Sequence, residues 1–114
     1  MGRIVGSQER APGAQPLPGM SPSWSPEAIA DLIALRAYIA EDNPAAAQRI
    51  ALHIIHNVEE LLCANPDMGR PGRVPGTREL VIPKTPFIVP YRVQADTIQI
   101  LRVFHGARRW PEGL

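Results

Sequence analysis

The sequence lacks several features that mark large classes of proteins. Cys63 is the only cysteine in 114 residues, so no disulfide can form within the chain, and we read it as a small buried hydrophobe. No apolar run approaches the roughly 20 residues that span a bilayer. Neither a CxxC nor an HExxH spacing occurs, so we expect no metal, no cofactor and no membrane attachment. A lone cysteine also fits the reducing cytoplasm, where we expect the protein to act.

Aromatic residues are scarce as well, with two each of tryptophan, tyrosine and phenylalanine. Proteins that bind single-stranded nucleic acid stack the bases on aromatic side chains that lie beside basic groups. The composition therefore disfavours a general nucleic-acid-binding module. What is present, 45% apolar residues in 114, suffices for one globular domain with a modest core.

Charge is distributed unevenly although the net charge is only +1. Residues 26–69 carry seven acidic and two basic side chains, a net charge of −5, whereas residues 70–114 carry eight basic and three acidic ones, a net charge of +5. A basic half of this kind is suited to an acidic partner, either a peptide or a nucleic acid. Scattered solvated charge is the weaker interpretation. The basic side chains are Arg70, Arg73, Arg78, Lys84, Arg92, Arg102, Arg108 and Arg109.

The chain divides near residue 23. Residues 1–22 are rich in proline and glycine and show no periodicity, so we predict a disordered or loosely attached extension followed by a single domain over 23–114. The extension lacks an apolar core with a small-residue cleavage site, which disfavours a signal peptide. Translation starts at Met1 and at Met20 are both compatible with this division. Ser23-Trp24 is a candidate short strand at a sheet edge.

Two amphipathic helices are predicted next. Ser25-Pro26-Glu27 is typical of a helix start, and apolar residues follow at helical spacing until Asn43-Pro44 ends that helix and begins another. The second helix carries a continuous apolar stripe up to Asn65-Pro66, so the two helices form a hairpin. The first face contains Ile29, Leu32, Ile33, Leu35, Tyr38 and Ile39; the second contains Ala47, Ile50, Ala51, Ile54, Ile55, Val58, Leu61 and Leu62.

The periodicity then changes to two. After a loop rich in glycine and proline, three strands are predicted at 76–82, 87–93 and from 98 onward, joined by short turns at 83–86 and 94–97. Pro90 has no N–H to donate, so its position should face an edge, a bulge or solvent. The prediction is an α+β fold in which an N-terminal helical hairpin packs on a small antiparallel β-sheet meander.

One group of residues is compatible with RNA cleavage. Attack by the RNA's own 2′-hydroxyl needs a base, an acid and a cation that stabilises the phosphate. His105 is a candidate acid, Glu79 a candidate base, and Arg78 or Arg108 a candidate clamp. Stabilising a strand end or binding a protein is an equally good interpretation of His105 and the arginines. His53 and His56 lie three apart on a helix, where rim positions are favoured over a metal pair.

The order of several short motifs resembles the RelE/ParE family of bacterial toxins, specifically its ParE-like plasmid-stabilisation branch. The motifs are Trp24–Ala28, Gly76–Leu80, Tyr91–Val93 and His105–Pro111, and the similarity covers about residues 23–111. The resemblance implies a type II toxin held inactive by a cognate antitoxin that wraps it in a hetero-oligomer. We expect the partner-binding residues in the basic half, at Arg78, Arg92, Arg102, Arg108, Arg109 and Trp110.

The family contains two activities. RelE-like members cut messenger RNA on the ribosome, whereas ParE-like members inhibit DNA gyrase and lack the nuclease groups. Ile88 or a neighbour stands where a nuclease would carry an arginine, and Lys84 is the only lysine, so gyrase inhibition is the favoured activity. His105 keeps the ribosome-dependent endonuclease as an alternative. A degenerate homologue that binds its antitoxin without being toxic is the third possibility.

Overall fold

The computed structural model describes residues 20–106 as two helices on one face of a six-stranded sheet. This arrangement confirms the predicted α+β class. Residues 1–19, which make up most of the predicted extension, and residues 107–114 lie outside the described residues. The elements are β1 (Ser21–Trp24), α1 (Pro26–Ala40), α2 (Pro44–His56), a π-helical segment (Asn57–Leu62), β2 (Arg70–Pro71), β3 (Arg78–Val81), β4 (Phe87–Gln94), β5 (Thr97–Ile100) and β6 (Phe104–His105).

Both helices begin where the sequence predicts. The Ser25 hydroxyl accepts a hydrogen bond from the Ala28 N–H at 2.9 Å and donates one to the Leu101 carbonyl at 2.8 Å. The Asn43 side chain accepts from the Ala46 N–H at 3.0 Å. Each cap satisfies a backbone donor that the first helical turn leaves unpaired. The Ser25 cap also ties the start of α1 to the end of the sheet.

The burial of α1 differs from the prediction. Its core-facing side is formed by Ala28, which is buried, and by Leu32, Leu35 and Ile39, which are partly buried. The other three residues of the predicted apolar face are not buried: Ile29, Ile33 and Tyr38 are 47%, 64% and 68% exposed. For these residues the prediction of a buried face is wrong. The helix therefore presents apolar side chains to solvent as well as to the core.

The sheet has the strand order β1-β5-β4-β3-β2, and β6 also pairs with β4. Strands β3, β4 and β5 form the predicted antiparallel meander. β1 pairs with β5 in parallel, which makes the sheet mixed, and it forms the edge strand expected at Ser23-Trp24 but begins at Ser21. The Met20 N–H donates to the Cys63 carbonyl at 3.1 Å. The contacts with the domain thus extend to residues 20–22, ahead of the predicted start at 23.

The strand predicted from residue 98 onward is broken. β5 ends at Ile100 and β6 begins at Phe104, and both pair with the same edge of β4. The Leu101 N–H donates to the Pro90 carbonyl at 2.9 Å, at the gap between them. Since Pro90 has no N–H to complete a pair there, a regular ladder cannot continue past it. Residues 101–103 lie opposite only residues 89–90, which makes this break a β-bulge, one of the positions predicted for Pro90.

The core lies between the second helix and the sheet. The fully buried side chains of Ile54, Val58 and Leu62 project from α2 and the π-helical segment, and the sheet contributes buried residues to the same cluster. The strand residues are Leu80, Phe87, Val89, Tyr91, Ile98 and Ile100, and Ile82, which directly follows β3, joins them. Within residues 20–106, no helix combines the length and the hydrophobicity needed to span a membrane.

The Tyr91 hydroxyl holds the loop between the helices and β3. It accepts a hydrogen bond from the Gly69 N–H at 3.0 Å and donates one to the Pro66 carbonyl at 2.7 Å. Burial raises the pKa of the phenol. A Tyr91→Phe substitution leaves both loop groups without this partner, so it should lower the free energy of unfolding by about 1–3 kcal/mol. Urea denaturation measures the loss.

A matched substitution is available at Tyr38, whose ring is exposed. Tyr38→Phe should change the unfolding free energy by less than about 0.5 kcal/mol. Equal losses at the two positions would show that the buried hydroxyl does not hold the loop.

Candidate functional site

A groove of about 530 Å³ runs between α1 and the β6 end of the sheet, and we call it the α1/β6 groove. One wall is a single face of α1, because its residues recur at helical spacing: Asp31, Ala34, Leu35, Tyr38 and Ile39. The opposite wall is formed by Phe87 of β4 together with the last described segment: Arg102, Val103, Phe104 and His105. The groove is thus mostly apolar, and its polar groups are the side chains of Asp31, Arg102 and His105 and the hydroxyl of Tyr38.

Two of those polar groups neutralise each other. Arg102 donates to Asp31 through Nε at 2.7 Å and through Nη2 at 3.0 Å, and the Val103 N–H donates to the same carboxylate at 3.0 Å. The hydrogen bonds to Asp31 raise the pKa of Arg102. A bidentate pair of this geometry orients both side chains. The groove therefore offers a partner apolar surface with little uncompensated charge at Arg102.

His105 stands at the edge of the same groove. It pairs with Phe87 across β4 and β6, and its ring meets the Phe87 ring edge-on with centroids 5.8 Å apart and an interplanar angle of 79°. The side chain is half-buried. Aromatic pairs favour this arrangement, so His105 contributes to packing at the end of the sheet.

Arg78 and Glu79 lie on β3, in a different set of contacts. Arg78 donates to the Gly69 carbonyl at 2.7 Å and lies 3.7 Å from the Asp67 carboxylate. Glu79 is 4% exposed and accepts from Arg70 at 3.0 and 2.9 Å through one carboxylate oxygen. Its second oxygen is buried and has no hydrogen-bond partner among residues 20–106. Both side chains thus support the short β2–β3 pairing.

The sheet register separates His105 from this pair. Arg78 is opposite Tyr91 and His105 is opposite Phe87, on the two edges of β4. Four residues along a strand and two strand spacings place the two Cα atoms roughly 16 Å apart. Glu79 is opposite Pro90, and because side chains alternate between the faces of a sheet, it points away from the face of His105. The three candidate nuclease residues in the described chain are not brought together.

The predicted partner-binding arginines are also dispersed. Arg78 and Arg102 are engaged as described above, whereas the side chain of Arg92 on β4 is exposed and forms no hydrogen bond or ion pair with residues 20–106. Arg108, Arg109 and Trp110 lie outside the described residues. Among the predicted residues that the structure describes, Arg102 alone lines the α1/β6 groove.

A second groove, of about 300 Å³, lies on the opposite flank of α1, between α1 and α2, and we call it the α1/α2 groove. Arg36 and Gln48 are its polar residues. Leu32 and Ile33 of α1 and Ala51, Leu52 and Ile55 of α2 form its apolar walls. No acidic side chain lines it among the described residues.

Sequence reasoning missed both grooves, although the signal for them was present. α1 carries apolar residues around most of its circumference, with Ile29, Ile33 and Tyr38 outside the four residues that face the core. Such a helix is typical of one that is covered on more than one side. The prediction assigned all the apolar residues of α1 to one core-facing side, so it did not identify the exposed apolar residues on the two flanks of the helix.

Comparison with known proteins places residues 23–110 in one family model, described as the ParE toxin of type II toxin–antitoxin system, parDE. The putative toxin Y4kP of Sinorhizobium fredii is 42% identical over 91 residues, which cover 80% of this chain and 93% of the relative. Toxin RelE2 of Caulobacter vibrioides is 35% identical over 85 residues, covering 75% of this chain and 93% of the relative.

Two solved structures are similar in fold. The chromosomal ParDE toxin–antitoxin system from Pseudomonas aeruginosa matches with a TM-score of 0.67 and 38% identity, over 75% of this chain and 95% of that one. The toxin–antitoxin complex RelBE2 from Mycobacterium tuberculosis matches with a TM-score of 0.60 and 24% identity, over 79% of this chain and 94% of that one. At that identity the second match supports the fold alone.

Proposed function

This chain belongs to the ParE family of toxins of type II toxin–antitoxin systems, and from that premise we propose that it inhibits DNA gyrase without cutting RNA. Relatives named for both branches match it, so the names alone do not choose between the two activities. The choice has to come from the chemistry of the candidate residues.

The observation that carries the proposal is the separation of the candidate nuclease groups. General acid–base cleavage needs both groups within hydrogen-bond reach of the same phosphodiester, directly or through one water. His105 and Glu79 lie on different faces of the sheet, and Glu79 is buried against Arg70. Ile88, a partly buried apolar residue of β4, supplies no cation between them. A toxin that acts by binding its target needs no such group.

We propose further that a cognate antitoxin neutralises the protein by occupying the α1/β6 groove, as part of a hetero-oligomer in the cytoplasm. The groove is the larger of the two beside α1, and the exposed Tyr38 and the half-buried Phe104 offer aromatic surface for an apolar segment. Helices commonly bind such grooves through apolar side chains at helical spacing. The net charge of +5 over residues 70–114 favours a segment that also carries acidic side chains.

The gyrase proposal is tested by expressing the protein without its antitoxin and by assaying the purified protein. We expect growth arrest with DNA damage, inhibition of supercoiling by purified gyrase, and intact messenger RNA. His105→Ala should remain as toxic as the wild type, because His105 packs against Phe87 and need not meet an RNA substrate. The dose of inducer that halves growth measures this.

Two other outcomes would reassign the protein. Messenger cleavage in a ribosome-dependent translation assay, lost in His105→Ala, would establish the endonuclease alternative. If neither the full chain nor a chain starting at Met20 arrests growth while both still bind the antitoxin, the protein is the degenerate homologue.

A further inference from the structure

The α1/α2 groove is a second apolar site that neutralisation through the α1/β6 groove does not use. Ile33 on one wall is 64% exposed and Leu52 on the other is 56% exposed. Helix residues of this size normally face a core, and a helical hairpin that only supported the sheet would carry polar groups here. The two side chains belong to different helices and flank the same depression, so they form one continuous surface.

Arg36 places a positive charge on this surface, which favours a partner with an acidic side chain. It is the charged member of the groove, it is exposed, and its side chain forms no hydrogen bond or ion pair within residues 20–106. Arg102 of the α1/β6 groove, in contrast, is already paired with Asp31. A partner that lies in the α1/α2 groove is therefore complementary when it places an acidic side chain opposite Arg36 between apolar anchors.

We propose that the α1/α2 groove is where this toxin binds its target protein, and that the occupant is an amphipathic helix of the target with an acidic residue facing Arg36. This inference rests on the proposed function, since it assumes a protein target. Its geometry leaves the α1/β6 groove to the antitoxin, because the two grooves lie on opposite flanks of α1.

Three substitutions test the groove: Ile33→Glu and Leu52→Glu place a charge on each apolar wall, and Arg36→Glu reverses the cation. Each should raise the concentration of purified toxin that half-inhibits gyrase supercoiling by at least tenfold. Each should leave the affinity for the antitoxin, measured by calorimetry, within about threefold of the wild type. Arg36→Lys keeps the charge and should retain most of the inhibition.

Met68→Glu is the matched control, because Met68 is an exposed apolar residue that lines neither groove. It should behave as the wild type in both assays. Circular dichroism establishes that each variant is folded, and Arg36→Glu changes a solvent-exposed side chain, so folding does not limit the test.

The failure of this inference is distinguishable from the failure of the gyrase assignment. If the three variants inhibit gyrase normally, or if they lose the antitoxin and keep the inhibition, the groove is not the target site. If the wild type arrests growth without affecting gyrase, the target assignment fails, and the growth arrest of the same variants still reports on the groove. A wild type that arrests nothing would overturn both.

Discussion

A Tyr38→Glu substitution should weaken antitoxin binding by about 30-fold or more. The Tyr38 ring is 68% exposed on the α1 wall of the α1/β6 groove, so a partner that fills the groove covers it. Aromatic residues at the centre of an interface commonly contribute 2 kcal/mol or more to binding, which corresponds to roughly this factor. The new carboxylate also lies on the same face as Asp31 and would repel an acidic antitoxin. Isothermal titration calorimetry with the purified antitoxin measures the change.

Val93→Glu serves as the control for this prediction. Val93 is an exposed residue near the far end of β4, six residues and about 20 Å along the strand from Phe87. Its substitution should leave the affinity for the antitoxin nearly unchanged. An unchanged affinity in Tyr38→Glu would instead place the antitoxin on another surface, and an equal loss in both variants would indicate a general effect of added negative charge.

An Ile54→Ala substitution should lower the free energy of unfolding by about 2–5 kcal/mol, whereas Ile33→Ala should lower it by less than about 0.5 kcal/mol. The chemical change is the same in both. Ile54 is fully buried between α2 and the sheet, and its truncation leaves a cavity, while Ile33 is mostly exposed on α1. Urea denaturation followed by circular dichroism measures both values.

The comparison separates the two roles of apolar residues in the hairpin. A large loss of unfolding free energy at Ile33 would mean that this side chain stabilises the fold. The inference that Ile33 forms part of a binding surface would then lose its basis. A small loss at Ile54 would mean that the second helix does not carry the core.

The elements that the sequence predicted correctly depend on local chemistry. The helix starts follow from Ser25 and Asn43, whose side chains cap the first turn wherever the helix lies. The first two strands of the meander follow from alternation over 76–93, whereas the strand predicted from residue 98 onward breaks after Ile100, opposite Pro90. The family resemblance rested on short motifs whose order the family model also matches over residues 23–110.

The elements that were missed depend on distant parts of the chain. Asp31 and Arg102 are 71 residues apart, and no spacing in the sequence connects them. His105 and Glu79 were candidates for the acid and the base that RNA cleavage needs, yet the register of β4 places them on different edges and faces. Which side of α1 faces the core also depends on where α2 and the sheet lie.

The sequence by itself determined the fold class, the helix starts, the meander and the membership of a toxin family, because each depends on periodicity, caps or motif order within a short stretch. The tertiary structure alone decided which apolar residues of α1 stay exposed, which arginines are neutralised by carboxylates, and which candidate catalytic groups stay apart. Those properties are set by the packing of one helix hairpin on one sheet, and packing depends on residues that the sequence separates by more than seventy positions.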